Sequence, residues 1–298
     1  MDDGIAFKVT PLKTAGMLLL LALIPLVAGY VRGHQVRADA VAFAADGVAT
    51  TGKVLNKTSE FVRNSMRYTV YFEYKDPNGT VIGFDVDLMN AIAKVLGVTT
   101  DYRPSKFDNI IPSITAGTYD VGASSFTDNK DREAQVDFVT YFQAGTQWAQ
   151  QAGAKVDPNN ACGKSVAVQT GTIQDTDELP AKSNDCVKSG KPPINISKYD
   201  FQDDATTALM LGKVDAMSAD SPVTAYAIKQ GKGKLEAAGE VFSSAPYGWA
   251  IAKGSGLGQA LLQALKQLMS SGEYKTIATN WGVEGGLITD PVINGAKN

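Results

Sequence analysis

A few polar residues here stand where they could hold a small ionic molecule. Arg132 is the last but one residue of the run SSFTDNKDRE, behind Ser125 and Thr127. Asp220 ends VDAMSAD, and Gly171 and Thr172 form TGT ahead of a helix expected near Gln174. A guanidinium grips a carboxylate through two parallel N–H bonds, which lysine cannot copy. A helix start adds backbone N–H groups and a favourable dipole for an anion. Spacing alone also allows plainer roles. Arg132 could pair with Asp128 or Asp131 on the surface, Asp220 could cap the helix SPVTAYAIKQG, TGT could be a simple turn, and Phe107 could belong to the core.

The residue inventory limits other chemistry. His34 is the one histidine, which removes histidine triads and multi-histidine metal sites. Asp85 and Asp87 suggest paired acids but read better as residues of a helix start. No catalytic group, metal or cofactor is expected. The net charge of −3 and pI near 5.3 argue against a nucleic-acid partner. Cys162 and Cys186 are too far apart for a CxxC site and flank a polar loop. They read as a disulfide formed outside the cytoplasm, with two buried free thiols as the alternative.

The elements that must position these residues begin with an N-terminal segment, 1–34. Its uncharged run TAGMLLLLALIPLVAGYV has 18 residues, the minimum for a bilayer span. An uncleaved transmembrane anchor is the favoured reading, ahead of a cleaved signal and a buried helix. The extracellular disulfide would place the C-terminal mass outside. Residues 35–71 read as a short helix followed by strands, with TTGKVLNKT and SMRYTVYFEYKD alternating well enough to pair. DPNGT is a turn signal between apolar runs.

From Gly83 onward strands alternate with helices, first in one set (72–143) and again in a second (144–243), before the chain returns to the first (244–298). The fold class is therefore α/β, with mostly parallel sheets in two lobes and a hinged cleft between them.

Residues 72–298 resemble the bacterial extracellular solute-binding proteins of family 3, which serve polar amino-acid ABC transporters. The resemblance rests on GFDVDLMNAIAKVLG, FDNIIPSITAGTYDVGASSFTDNKDREAQVDF, VAVQTGT, GKVDAMSAD and GEYKTIATNWGV. It implies a two-lobed type II periplasmic-binding-protein fold. It also implies a ligand site in which Arg132 holds the amino-acid carboxylate, Ser125 and Thr127 stand beside it, and Gly171 and Thr172 add donors. In the same site Asp220 takes the ammonium and Phe107 packs on the ligand side chain. An ABC transporter permease is the implied protein partner. Residues 1–80 resemble a family of small bacterial membrane proteins of unknown function, which implies only a membrane-anchored β-module.

SMRYTVY stands where the solute-binding family has its first central strand and an aromatic lid loop. The expectation is a lobe lacking that strand unless 47–55 substitutes, and a cage lacking its lid unless Tyr68 or Tyr71 does. The function expected is a membrane-tethered, extracytoplasmic receptor for a polar amino acid. Alternatives are a tethered sensor with a vestigial binding domain and a dehydratase of cyclic carboxylates.

Overall fold

The computed structural model describes residues 5–11, 59–64, 74–75, 81–100 and 102–297. The apolar run 14–31, the segment 47–55 and SMRYTVY lie outside the described residues. Among the described residues, no helix is long and apolar enough to cross a membrane.

Helix α1, Phe84–Leu96, shows why the sequence folds as read. Phe84, Leu88, Met89, Ile92, Ala93 and Leu96 fall on one face at helical spacing, and all are buried. Gly97 ends it at φ 67, giving its N–H to the last carbonyls without a Cβ penalty. Asp85 is not its cap; Gly83 holds that place. Asp85 is instead buried and accepts from the Tyr141 hydroxyl at 3.0 Å, while Asp87 accepts from Trp281 Nε1 at 2.8 Å. Both carboxylates brace packing in the fold.

The strands follow in chain order: β1 Ile5–Pro11, β2 Ser59–Asn64, β3 Tyr74–Lys75, β4 Val81–Ile82, β5 Val98–Thr99, β6 Arg103–Ser105 and β7 Val121–Thr127. They continue with β8 Val136–Gln151, β9 Ser165–Gln169, β10 Asn195–Tyr199, β11 Ala216–Asp220 and β12 Leu235–Ala252. β3 and β4 form the hairpin around DPNGT, pairing Tyr74 with Ile82 and Lys75 with Val81. The main sheet runs β10-β9-β11-β8-β12-β7-β2-β1-β5, with β6 also on β2.

Two features differ from expectation. The sheet is mixed, not mostly parallel: β9, β10 and β11 run parallel, but β8 pairs antiparallel with both β11 and β12, and β12 antiparallel with β7. The cause is that β8 and β12 carry the chain between the lobes in opposite senses and pair along their length. In addition, the first lobe does not lack a strand beside β7. Ser59–Asn64 occupies that place, parallel to β7 through Phe61 and Val121, and parallel to β6. A buried strand edge without a partner would leave N–H and C=O groups orphaned, and β2 removes that cost. β1 then pairs antiparallel on β2, from Ile5 opposite Arg63 to Val9 opposite Ser59.

The pairing of β8 with β12 slips in register between Ala238 and Phe242, between Phe242 and Ala245, and between Tyr247 and Gly248. Gly145 faces this break. A Cβ there would lie 2.6 Å from Val241 Cγ1 and 2.7 Å from Phe242 O, so only glycine fits. The slips loosen the ladder where the chain passes from one lobe to the other.

Helices α2 Phe107–Thr115 and α3 Lys130–Glu133 flank the first lobe; α4 Leu179–Lys188, α5 Gln202–Met210 and α6 Ser221–Gln230 belong to the second. α7 Leu257–Ser271 and α8 Glu273–Trp281 return to pack on α1. Cys162 and Cys186 form a disulfide with Cα atoms 5.5 Å apart, tying the loop before β9 to the end of α4. The thiol alternative is thereby set aside. Opening a loop of this size is expected to lower the unfolding free energy by about 3 kcal/mol. Urea melts with and without reductant check this, and unchanged midpoints would refute it.

Candidate functional site

Arg132 rides on the short helix α3, whose Asn129 cap accepts the Arg132 backbone N–H at 2.8 Å. The side chain is 9% exposed. Its Nη1 donates to Thr127 O at 2.8 Å, and its Nη2 crosses the cleft to Gly171 O at 3.0 Å. The guanidinium carbon lies 5.6 Å from the Phe107 ring centre and 5.4 Å from that of Phe126, close enough for cation–π attraction. The plainer reading, a surface pair with Asp128 or Asp131, is not what these contacts describe. Burial pulls the guanidinium pKa down to about 10, against the opposing charges of Asp220, Asp177 and Asp128. It stays a cation at neutral pH.

Asp220 ends β11 on the other lobe, at the first residue ahead of α6, but its side chain does not cap that helix. Its Oδ1 accepts from Gln174 Nε2 at 2.8 Å and its Oδ2 from the Tyr247 hydroxyl at 2.7 Å. Burial pushes its pKa up; the bonds from Tyr247 and Gln174 and the charge of Arg132 oppose that rise. The same burial, with Asp220 beside it, drives the Tyr247 phenol well above its ordinary value, so Tyr247 remains a donor.

Phe107, Ser125, Thr127, Arg132, Thr172 and Asp220 line one narrow cleft between the lobes, partly open to solvent. Phe107 stacks on Phe126 at 4.4 Å. Ser125 sits at φ 51, a strained value for serine, and its buried Oγ has no hydrogen-bond partner among the described residues. The seventh expected residue, Gly171, stands elsewhere. Its N–H goes to Asp175 Oδ2 at 3.0 Å instead of into the cleft, and a Cβ on it would meet Asp108 Cβ at 3.0 Å. It is a close-approach point between lobes, and its carbonyl receives Arg132. Lys106 reaches across to Asp200 at 2.7 Å nearby.

Gln174 and Tyr247 were not anticipated. Gln174 opens a wide π-type turn, Gln174–Glu178, and also donates to Thr146 Oγ1 at 2.9 Å. Tyr247 lies in the return strand, where nothing local tells which face it takes. A second cavity of about 880 Å³ continues from the cleft toward the strand crossing, past Asp177, Glu178, Lys182 and Phe242. Glu178 accepts there from Trp148 Nε1 at 2.9 Å and from the Ser218 hydroxyl at 2.6 Å.

The family model described as bacterial extracellular solute-binding proteins, family 3, matches residues 65–284. The chain belongs to that family. The match begins at Ser65, so SMRYTVY lies inside the family region instead of displacing it. Among curated relatives, the arginine-binding protein ArgT of Corynebacterium glutamicum is 43% identical over 225 residues, covering 75% of this chain and 74% of that protein. The glutamine-binding protein GlnH of Bacillus subtilis is 28% identical over 72% of this chain and 77% of its own length. Among solved structures, an ancestral arginine-binding protein bound to arginine superposes with TM-score 0.66 at 32% identity, over 73% of this chain and 95% of that one. This family member is accordingly a two-lobed, extracytoplasmic solute-binding protein.

The mount of Arg132 carries a titratable pair. Asp128, just before α3, has its carboxyl pushed up to about 7, chiefly by burial and further by Glu133. The Gly295 N–H and Lys130 pull it down. A folded-state value above the unfolded one, near 4 for aspartate, gives a stabilisation fully present below about pH 4 and lost as pH rises through 7. Thermal melts of the wild type and Asp128→Asn between pH 5 and 8 check this. The wild type should lose stability over that span, and the variant should lose less of it; equal slopes would refute the assignment.

Proposed function

We propose that this protein captures an amino acid with a basic side chain, arginine first among them, and delivers it to an ABC transporter permease. One observation carries the reading: Arg132 from one lobe and Asp220 from the other face the same cleft. An amino acid presents a carboxylate to the cation and an ammonium to the acid. Ser125 Oγ, buried and unpartnered, is a ready donor to that carboxylate. Thr127 and Thr172 stand beside it, and Phe107 offers its ring to the ligand's aliphatic stem. The Gly171 carbonyl accepts from Arg132 at the edge of the same site. The names of the relatives support arginine, and the acidic wall of Asp177 and Glu178 beyond Asp220 suits a cationic side chain.

The slips between β8 and β12 are our choice of hinge, dividing 72–143 and 244–298 from 144–243. Among the solved structures is an ancestral amino-acid-binding protein described as a precursor of cyclohexadienyl dehydratase, 31% identical with TM-score 0.62. We read the present chain as a binder and expect no turnover of cyclic carboxylates.

Calorimetry with a panel of amino acids should give micromolar or tighter binding of arginine, a free energy of about −8 kcal/mol or better. Arg132→Ala should cost roughly 2–5 kcal/mol of it, because the variant removes one partner of a desolvated charge pair. A wild-type protein that binds no amino acid, or a variant that binds equally well, would remove the assignment.

The apolar run 14–31 is proposed to hold the protein on the outer face of the membrane. A single crossing there would place Ile5–Pro11 on the opposite side from Ser59–Asn64, so a spanning tether and the β1–β2 pairing exclude each other. Carbonate extraction of membranes, with N-terminal sequencing of the product, separates the two. An intact chain resisting extraction supports the tether; a released or shortened chain counts against it.

A further inference from the structure

We propose that residues 292–296 form a positioning strap that sets ligand affinity by fixing the turn on which Arg132 stands, acting through Asp128 and Glu133. The inference rests on the amino-acid reading above. The strap lies beyond residues 65–284, the part matched to the family.

Its course is set by backbone bonds along the first-lobe half of β8. Thr140 N–H donates to Val292 O at 2.9 Å, and Asn294 N–H donates to Phe138 O at 2.9 Å. Val139 and Ile293 form an antiparallel bridge between them. The Asn294 side chain closes both of its own needs, accepting from Phe138 N–H at 2.8 Å and donating to Asp137 Oδ1 at 2.9 Å. Asn294 turns the chain at φ 60. The next residue has no room for a side chain, since a Cβ on Gly295 would lie 2.8 Å from Thr140 Cγ2.

That turn aims two consecutive N–H groups at the carboxylates on either side of Arg132. Gly295 donates to Asp128 Oδ2 at 2.6 Å, and Ala296 donates to Glu133 Oε1 at 3.1 Å. Asp128 immediately precedes the Asn129 cap, and Glu133 is the last residue of α3. The helix is too short to hold its own geometry through internal bonds. Its two ends are instead pinned to a tail that is itself laced to β8. Glu133 has further holds: Lys130 Nζ donates to its Oε2 at 2.7 Å, and Lys253 Nζ donates to its backbone carbonyl. Asp128 has Gly295 as its backbone donor, meets Glu133 through its carboxyl, and gives its own N–H to Pro246 O at 2.9 Å. Freed of the strap, the turn loses the contact at its leading edge. The guanidinium then samples positions that no longer meet a carboxylate in both N–H directions.

The test uses the intact protein, a chain ending at Asp290, and Asp128→Ala in each background, with arginine as titrant and thermal melts alongside. Removing the tail should weaken binding by about 10-fold, and Asp128→Ala in the intact chain should do the same. In the shortened chain Asp128→Ala should add little, because both changes break one linkage. Asp128→Asn keeps an oxygen to accept the Gly295 N–H and should bind within about threefold of the wild type. Should the shortened chain fail to fold, Gly295→Val, which displaces the turn without deleting it, takes its place. Two results overturn the strap: a lower melting temperature with unchanged affinity, or an Asp128→Ala penalty equally large with and without the tail. A wild type that binds no amino acid overturns the ligand reading itself, and the strap's role with it.

Discussion

A guanidinium buried between two lobes must be satisfied in every direction it points, and this constraint organises the molecule. Taking a cation out of water is expensive unless bonds and opposing charge replace the solvent. Arg132 obtains these from both sides of the cleft: Thr127 O on its own lobe, Gly171 O on the other, two aromatic faces behind, and Asp220 as the nearest strong charge influence. A carboxylate in the cleft would answer the same need with charge as well as two acceptors.

Both lobes can share that cation because β8 and β12 run through both. The long antiparallel pair slips in register in the middle, where Gly145 is pressed against Val241 and Phe242. The crossing strands also explain the mixed sheet. A chain that must go out to a second lobe and come back has to lay down two opposed strands. Tyr247, on the return strand, reaches Asp220 for the same reason: the strand that closes the first lobe passes directly beneath the cleft.

Much of this was legible locally. The helical spacing in FDVDLMNAIAKVL and LGQALLQALKQLMSS, and the capping glycine after the first, need no tertiary information. The two cysteines around a polar loop were enough for the disulfide. The site residues came as a group because motif order preserved them, and six of the seven meet in one cleft. The readings that failed depended on long-range partners. Asp85 does stand in the first turn of α1, but what its carboxylate meets there, the Tyr141 hydroxyl far along the chain, could not be read locally. Gly171 looked like an anion-binding N–H, but Asp175 occupies that donor. The strand beside β7, Ser59–Asn64, falls between the two segments read as strands, because its pairing with β7 and β6 decides it and local alternation does not.

By itself, the sequence determined which segments could be helices and strands, which residues carry opposite charges suited to a zwitterion, and that the chain could be cross-linked outside the cytoplasm. These are properties of side-chain period, type and charge, all readable within short windows. Only the tertiary structure decided that Arg132 and Asp220 share a cavity, that Gln174 and Tyr247 hold the acid in place, and that a tail beyond the family region grips the turn under the arginine. The physical reason is that burial and hydrogen-bond partnership are relations between distant residues. A side chain's desolvation and its donors exist only after the lobes, the crossing strands and the C-terminal tail have been brought together.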